Sequence, residues 1–346
     1  MTPWQRFMAA VKFKKADYVP VALWCTARCF ASLSKMTVFD FIHDPNEMMK
    51  AEIYAFKKFP EITFLPGVIP DYGDTIFLPS ALGCRIYWSE NSLPFVNGPV
   101  IKQDSDIDTM KVPDPHHDGY LPWYLKALRL FLSKKEEFGD NFHFVKSLGP
   151  GELAGHLWGV QNFLINTRLK PDLTKKLLDK IANIIITWLD AQLEVNNSAD
   201  GFLLSDDIAA LMGEEAYMEF LYPIHCKIRK RYSNLLMLFH CDAKADHVLE
   251  SFAKVGIDIF HFGSTTDIEI VKKKIGDKVA LMGNVDPVAV LQNGKVKNVK
   301  ETSEKCLRAA AKGSGYILSA GGGVNAGTPC ENIDALIEVS HHYRIE

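Results

Sequence analysis

Short apolar runs, each closed by polar or glycine-rich residues and followed by a stretch with helical spacing, recur along this chain of 346 residues. A continuous apolar run of this length reads as a strand buried on both faces, and its alternation with helical segments argues for βα units and a parallel sheet. The spacing predicts strands over 19–24, 62–66, 143–148, 201–205, 235–240, 258–262, 279–283 and 316–319. Helices are expected over 171–194, 214–231, 244–254, 267–275, 299–312 and 331–343, where the formers are good and the apolar positions recur three and four apart. Eight such units are the arithmetic of an α/β TIM (β/α)8 barrel.

The stretch 1–15 is amphipathic and charged and reads as an N-terminal helical extension. The stretch 71–133 breaks the rhythm, its first part being rich in Pro, Gly and Asp, with two short strands expected near 84–88 and 93–97. It reads as an insertion after the second strand, either a surface excursion or a lid over the barrel mouth. No internal repeat or long linker divides residues 1–346, so one domain is expected.

Composition narrows the function. Lys and Arg total 39 against 42 Asp and Glu, for a net charge of −3, which supplies no basic stripe for a nucleic-acid backbone. No apolar run approaches the roughly 20 residues of a membrane span, and a cytoplasmic location is expected. Seven cysteines, odd in number and irregularly spaced, argue against a disulfide framework.

In a barrel of this kind chemistry belongs at the carboxyl ends of the strands. Those ends carry Ser205-Asp206-Asp207, then His240-Cys241-Asp242, His261, Asn284 with Asp286, and glycines 321–323. In extended chain His240 and Asp242 share one side and Cys241 faces the other, so an imidazole and a carboxylate would meet at a strand tip in a pattern suited to Zn²⁺. Each residue also has a quieter reading. His240 and His261 could be hydrogen-bonded core histidines, Asp206 or Asp207 could cap a helix, and the glycines could cradle an anion. Cys330 opens the last predicted helix, where the dipole favours a thiolate, and is a further candidate ligand.

Several segments resemble the uroporphyrinogen decarboxylase superfamily. They are Thr2-Pro3-Trp4-Gln5-Arg6-Phe7 with Ala16-Asp17-Tyr18-Val19-Pro20-Val21, Gly149-Pro150 with Leu157-Trp158-Gly159, and Gly283-Asn284-Val285-Asp286-Pro287. Gly313-Ser314-Gly315-Tyr316, leading to Gly327-Thr328-Pro329-Cys330-Glu331-Asn332, extends the resemblance over nearly the whole chain. The resemblance implies a barrel. The decarboxylase's Arg-Gln-Ala-Gly-Arg run after the first strand is replaced by Trp24-Cys25-Thr26-Ala27-Arg28-Cys29-Phe30, which leaves Arg28 as the one candidate carboxylate clamp there.

The pattern is closer to the branch of zinc-dependent corrinoid methyltransferases. That branch implies Zn²⁺ and a cobalamin carried by a separate corrinoid-binding protein, with a small methylated substrate such as a methyl ether. Its ether-demethylating members have two glutamates and a histidine as ligands, and Glu219 with His240 reproduces the spacing of the second glutamate and the histidine. The expected metal ligands are accordingly His240, Glu219, Asp242 and Cys330, with His240, Asp206 and Asp207 catalytic and Trp24, Arg28, His261 and Asn284 binding substrate. A methylcobalamin:thiol methyltransferase, a metal-free decarboxylase or lyase, and a catalytically silent barrel remain alternatives.

Overall fold

The computed structural model describes residues 1–65, 67–73, 75–89, 92–141 and 143–344. Eight parallel strands form one curled sheet: β1 (Val21–Trp24), β2 (Ile62–Leu65), β5 (Phe144–Leu148), β6 (Gly201–Ser205), β7 (Leu236–Cys241), β8 (Ile259–Phe262), β9 (Ala280–Val285) and β10 (Tyr316–Ala320). Their order is β2-β1-β10-β9-β8-β7-β6-β5, and the two outer strands approach through an isolated bridge between Gly67 and His143. This is the expected TIM-barrel-like α/β fold. Each strand starts and ends within two residues of its expected bounds, because strands buried on both faces leave an uninterrupted apolar signal.

The helices are less regular than the sequence implies. Residues 214–231 form two helices, Glu214–Phe220 and Tyr222–Arg231, because Pro223 has no N–H to continue the first ladder and instead takes an early position in the second. The expected 244–254 helix begins only at Leu249.

Along each strand alternate side chains enter the barrel. Ala22, Trp24, Leu65, Phe144, Leu203, Leu238, Ile259, Ala280, Met282 and Ile317 pack into one apolar cluster in its interior. The helix Pro3–Val11 adds Phe7, Ala10 and Val11 to that cluster, so the N-terminal extension plugs the floor. Thr2 and Gln5 close its first turn in a capping box, and Arg6 anchors it to Asp17 at 2.7 Å.

Between β2 and β5 lie the helix Phe77–Ala81, the antiparallel hairpin β3 (Ile86–Tyr87) and β4 (Phe95–Val96), the helix Asp104–Thr109 and the helix Leu121–Ser133. The last of these packs against the helices Pro45–Lys58 and Pro171–Val195 as part of the outer layer. The excursion at the mouth is therefore shorter than the 71–133 stretch. No helix among the described residues is long and apolar enough to cross a membrane.

Candidate functional site

The register of three neighbouring strands sets the site. Ser205 on β6 is level with His240 on β7, and His240 is level with His261 on β8, so the three lie in one row near the carboxyl ends. The two rings meet Nδ1 to Nδ1 at 3.0 Å, and Nε2 of His261 lies 2.9 Å from the carbonyl oxygen of Ala320 on β10. His261 is wholly buried, and burial pushes its pKa down to about 3. Trp24 packs edge-on against His240 at 4.4 Å between ring centroids.

Beside His240 stand two carboxylates from neighbouring loops. Asp207 follows β6 and Asp242 follows β7, and the backbone N–H of Asp242 donates to Oδ1 of Asp207 at 2.7 Å. One ligand atom from each of Asp207, His240 and Asp242 lies within 4.8 Å of the other two. Burial, and then the charge of the neighbouring acid, raises the pKa of both carboxyls. Two acids held together against their own repulsion beside an imidazole form a nitrogen–oxygen donor set suited to a divalent cation. Cys241 takes no part, since its thiol is fully buried on the opposite side, as the alternation of the strand requires.

His240 and Asp207 open onto a cavity of about 250 Å³ whose wall also includes Trp24, Leu93, Leu148, Asp71, Glu152 and Gly323. Leu93 reaches it from the loop between β3 and β4, so the excursion after β2 supplies part of the roof. Glu152 sits in the first turn of the helix Pro150–Trp158. Burial, followed by the charges of Asp206 and Asp207, pushes its pKa up to about 8. The backbone N–H of Asp207 donates to its Oε1 at 3.2 Å, and Nε2 of His156 lies 4.0 Å from its Oε2. Sequence reasoning missed Glu152 and Asp71, because the ends of the second and third strands were not searched for acids.

Several expected site residues are placed elsewhere. Asp206 is wholly buried and accepts from the N–H groups of Gly151 at 2.9 Å and Glu152 at 3.0 Å, with His225 Nε2 at 3.0 Å. It caps the helix that follows the adjacent strand β5, not its own helix, and does not line the cavity. A Cβ on Gly149 would fall 2.4 Å from the Cβ of Asp206, which is why glycine stands there. Glu219 is half exposed on the outer helix layer, pairs with Lys175 at 2.7 Å and stands outside the Asp207–His240–Asp242 group. Cys330 starts the helix Cys330–His342 partly buried against the core, outside the Asp207–His240–Asp242 group.

Arg28 is exposed on the helix Ala27–Leu33 and does not line the cavity. Asn284 donates to the carbonyls of Gly263 at 3.2 Å and Thr266 at 2.8 Å and so ties loops together. His261 lies behind His240, out of reach of a substrate, whereas Trp24 does face the cavity. The glycine run serves close approach: Gly323 lines the cavity, and a Cβ on Gly321 would fall 2.5 Å from the backbone nitrogen of Ser264.

With this geometry in view, likeness to known proteins is informative. The chain is 26% identical over 317 residues to the uroporphyrinogen decarboxylase of Coxiella burnetii (strain Dugway 5J108-111), covering 88% of this chain and 84% of the relative. It is also 26% identical over 348 residues to the methylated-thiol–coenzyme M methyltransferase of Methanosarcina mazei, covering 97% and 88%. A solved methyltransferase from Methanosarcina mazei superposes with a TM-score of 0.81 at 24% identity, over 98% of both chains, which speaks for the fold. A B12-independent methionine synthase from Shewanella sp. W3-18-1 shares the fold more loosely, with a TM-score of 0.57 at 11% identity over 93% of this chain and 97% of that one. The family model for uroporphyrinogen decarboxylase (URO-D) matches residues 2–343, and the chain belongs to that family.

Proposed function

We propose that this protein is a metal-dependent methyltransferase, which moves a methyl group between a small uncharged methyl ether and the cobalt of a corrinoid presented by a separate protein. The observation that carries the reading is the grouping of Asp207, His240 and Asp242, the first two of which line the cavity. A Zn²⁺ held there would supply Lewis acidity, drawing electron density from the ether oxygen as its bond to the methyl carbon breaks. The donor set is imidazole and carboxylate with no thiolate among the described residues, which suits an oxygen leaving group better than a sulfur one.

The chain's own residues complete the chemistry. Trp24, Leu93 and Leu148 give the cavity apolar walls that exclude water from the reacting carbon. Glu152, at the cavity wall, keeps its proton at neutral pH and can pass it to the departing alkoxide or phenolate. The lining holds Asp71, Glu152 and Asp207 but no Lys or Arg among the described residues. The buried Lys146 reaches toward Asp71, with 3.4 Å between Nζ and Oδ1. A polycarboxylate such as uroporphyrinogen would meet acids here instead of the cationic clamps it needs, which weighs against decarboxylation.

The test has two parts. Metal analysis of the purified protein is expected to find about one zinc per chain, lost in His240→Ala. A cobalamin absorbance assay with neutral methoxyphenols should then show methyl-Co(III) forming from Co(I), with weak or no response to methoxybenzoates. Metal-free protein that decarboxylates a substrate at full rate would overturn the reading.

A further inference from the structure

We propose that His261 is a positioning residue, one that holds Nδ1 of His240 as a donor and so fixes the ring with Nε2 turned toward Asp207 and Asp242. This rests on the metal-holding role of His240 proposed above and assigns that role's cause to a residue on the neighbouring strand.

The direction of the chain of hydrogen bonds follows from its far end. The carbonyl oxygen of Ala320 has no proton to give, so the contact of 2.9 Å requires that Nε2 of His261 donate. Protonation of His261 at both nitrogens would place a cation in a wholly buried position whose two bonds run to a carbonyl and to another imidazole, with no acid among those partners. The ring is therefore neutral, and its Nδ1 offers only a lone pair. Nδ1 of His240 stands 3.0 Å away, and two lone pairs cannot face each other at that distance. His240 must donate from Nδ1. That turns Nε2 outward, as the atom 4.0 Å from Oδ2 of Asp242, and whenever the ring is neutral the lone pair lies there.

Trp24 strengthens the constraint, with its ring centroid 4.4 Å from that of His240 and 5.6 Å from that of His261. A flipped His240 would set a ring carbon against Nδ1 of His261 and lose the hydrogen bond. The register already places the two rings level on adjacent strands, so the relay β10 carbonyl, β8 histidine, β7 histidine is built into the sheet. An imidazole whose Nδ1 is held as a donor in advance binds a cation without first moving a proton between its nitrogens or turning its ring, an effect worth about 10- to 100-fold in metal affinity at comparable outer-layer positions.

The experiment uses the full chain labelled with ¹⁵N-histidine, stripped of metal, and long-range ¹H–¹⁵N correlation spectra, with His240 assigned through His240→Gln. The expected wild-type spectrum, at a pH where the His240 ring is neutral, shows it protonated on Nδ1 and bare on Nε2. His261→Asn places an amide oxygen near the former Nδ1 and should keep both that tautomer and the zinc affinity measured by chelator competition. His261→Leu should mix the tautomers and weaken zinc binding about 10- to 100-fold. A wild-type His240 protonated on Nε2 alone would overturn the proposal, as would a folded His261→Leu protein with unchanged tautomer and affinity. If His261→Leu does not fold, the wild-type tautomer and the rescue by His261→Asn decide. The expected tautomer in a protein that binds no zinc would uphold the role of His261 while removing the metal reading.

Discussion

The barrel interior carries two layers on the same strands with opposite chemistry, and they are only two residues apart. The lower layer includes Phe144, Leu203, Leu238 and Ile259, all buried in the apolar floor. Two positions further along each strand the pleat returns to the same side with Lys146, Ser205, His240 and His261. The floor is closed from below by the N-terminal helix and has only packing to do. The upper layer is polar although buried, and the hydroxyl of Ser205 has no hydrogen-bond partner. A polar layer held by hydrogen bonds such as those of His261 is what a binding site requires, and the packed floor beneath it adds rigidity.

If the two layers do separate jobs, mutations should separate them. Leu238→Ala should cost about 2–5 kcal/mol by denaturant unfolding while zinc stoichiometry stays at that of the wild type. Asp206→Ala should behave like a floor mutation, losing about 3–5 kcal/mol, because His225 and two helix N–H groups lose their buried partner. Asp207→Ala should do the reverse, with metal lost and the unfolding midpoint little changed. Equal loss of metal and of stability in all three would break the comparison.

Glu152 sharpens it through pH. Its pKa rises from an ordinary 4.5 to about 8, so between those values the unfolded chain releases a proton that the folded protein keeps. Folding then becomes less favourable as pH rises from about 4.5 to about 8, and this contribution is constant above that window. Glu152→Gln should flatten that part of the stability profile, measured as thermal midpoint against pH. An unchanged slope would mean that the upper layer does not hold this proton.

The smallest effect is expected at Glu219. Its pairing with Lys175 is solvent-exposed, so Glu219→Ala should change stability by less than about 0.5 kcal/mol and leave zinc binding intact. Loss of metal in that variant would restore the ligand pattern implied by family resemblance.

Much of this architecture was legible in the chain itself. Period and length of the apolar runs located all eight barrel strands, because a strand buried on both faces needs apolar residues throughout. The rule that reactive groups gather at strand ends, with the two-residue alternation, brought out His240, Asp207 and Asp242 and set Cys241 apart. The rule stops at direction. Asp206 and Asp207 are adjacent and chemically identical, and what separates them is the start of the helix Pro150–Trp158, whose unpaired N–H groups capture the first and leave the second to the cavity.

Local pattern therefore determined the strands, their order of appearance and the height at which polar residues emerge, since these depend on periodicity over a few neighbouring positions. Tertiary structure alone decided which acids face one another, that Glu152 and Asp71 join the wall, that Glu219 and Cys330 stay away, and how the proton on His240 is placed. Those outcomes depend on distances between atoms far apart in the chain, and on burial, which no stretch of sequence contains by itself.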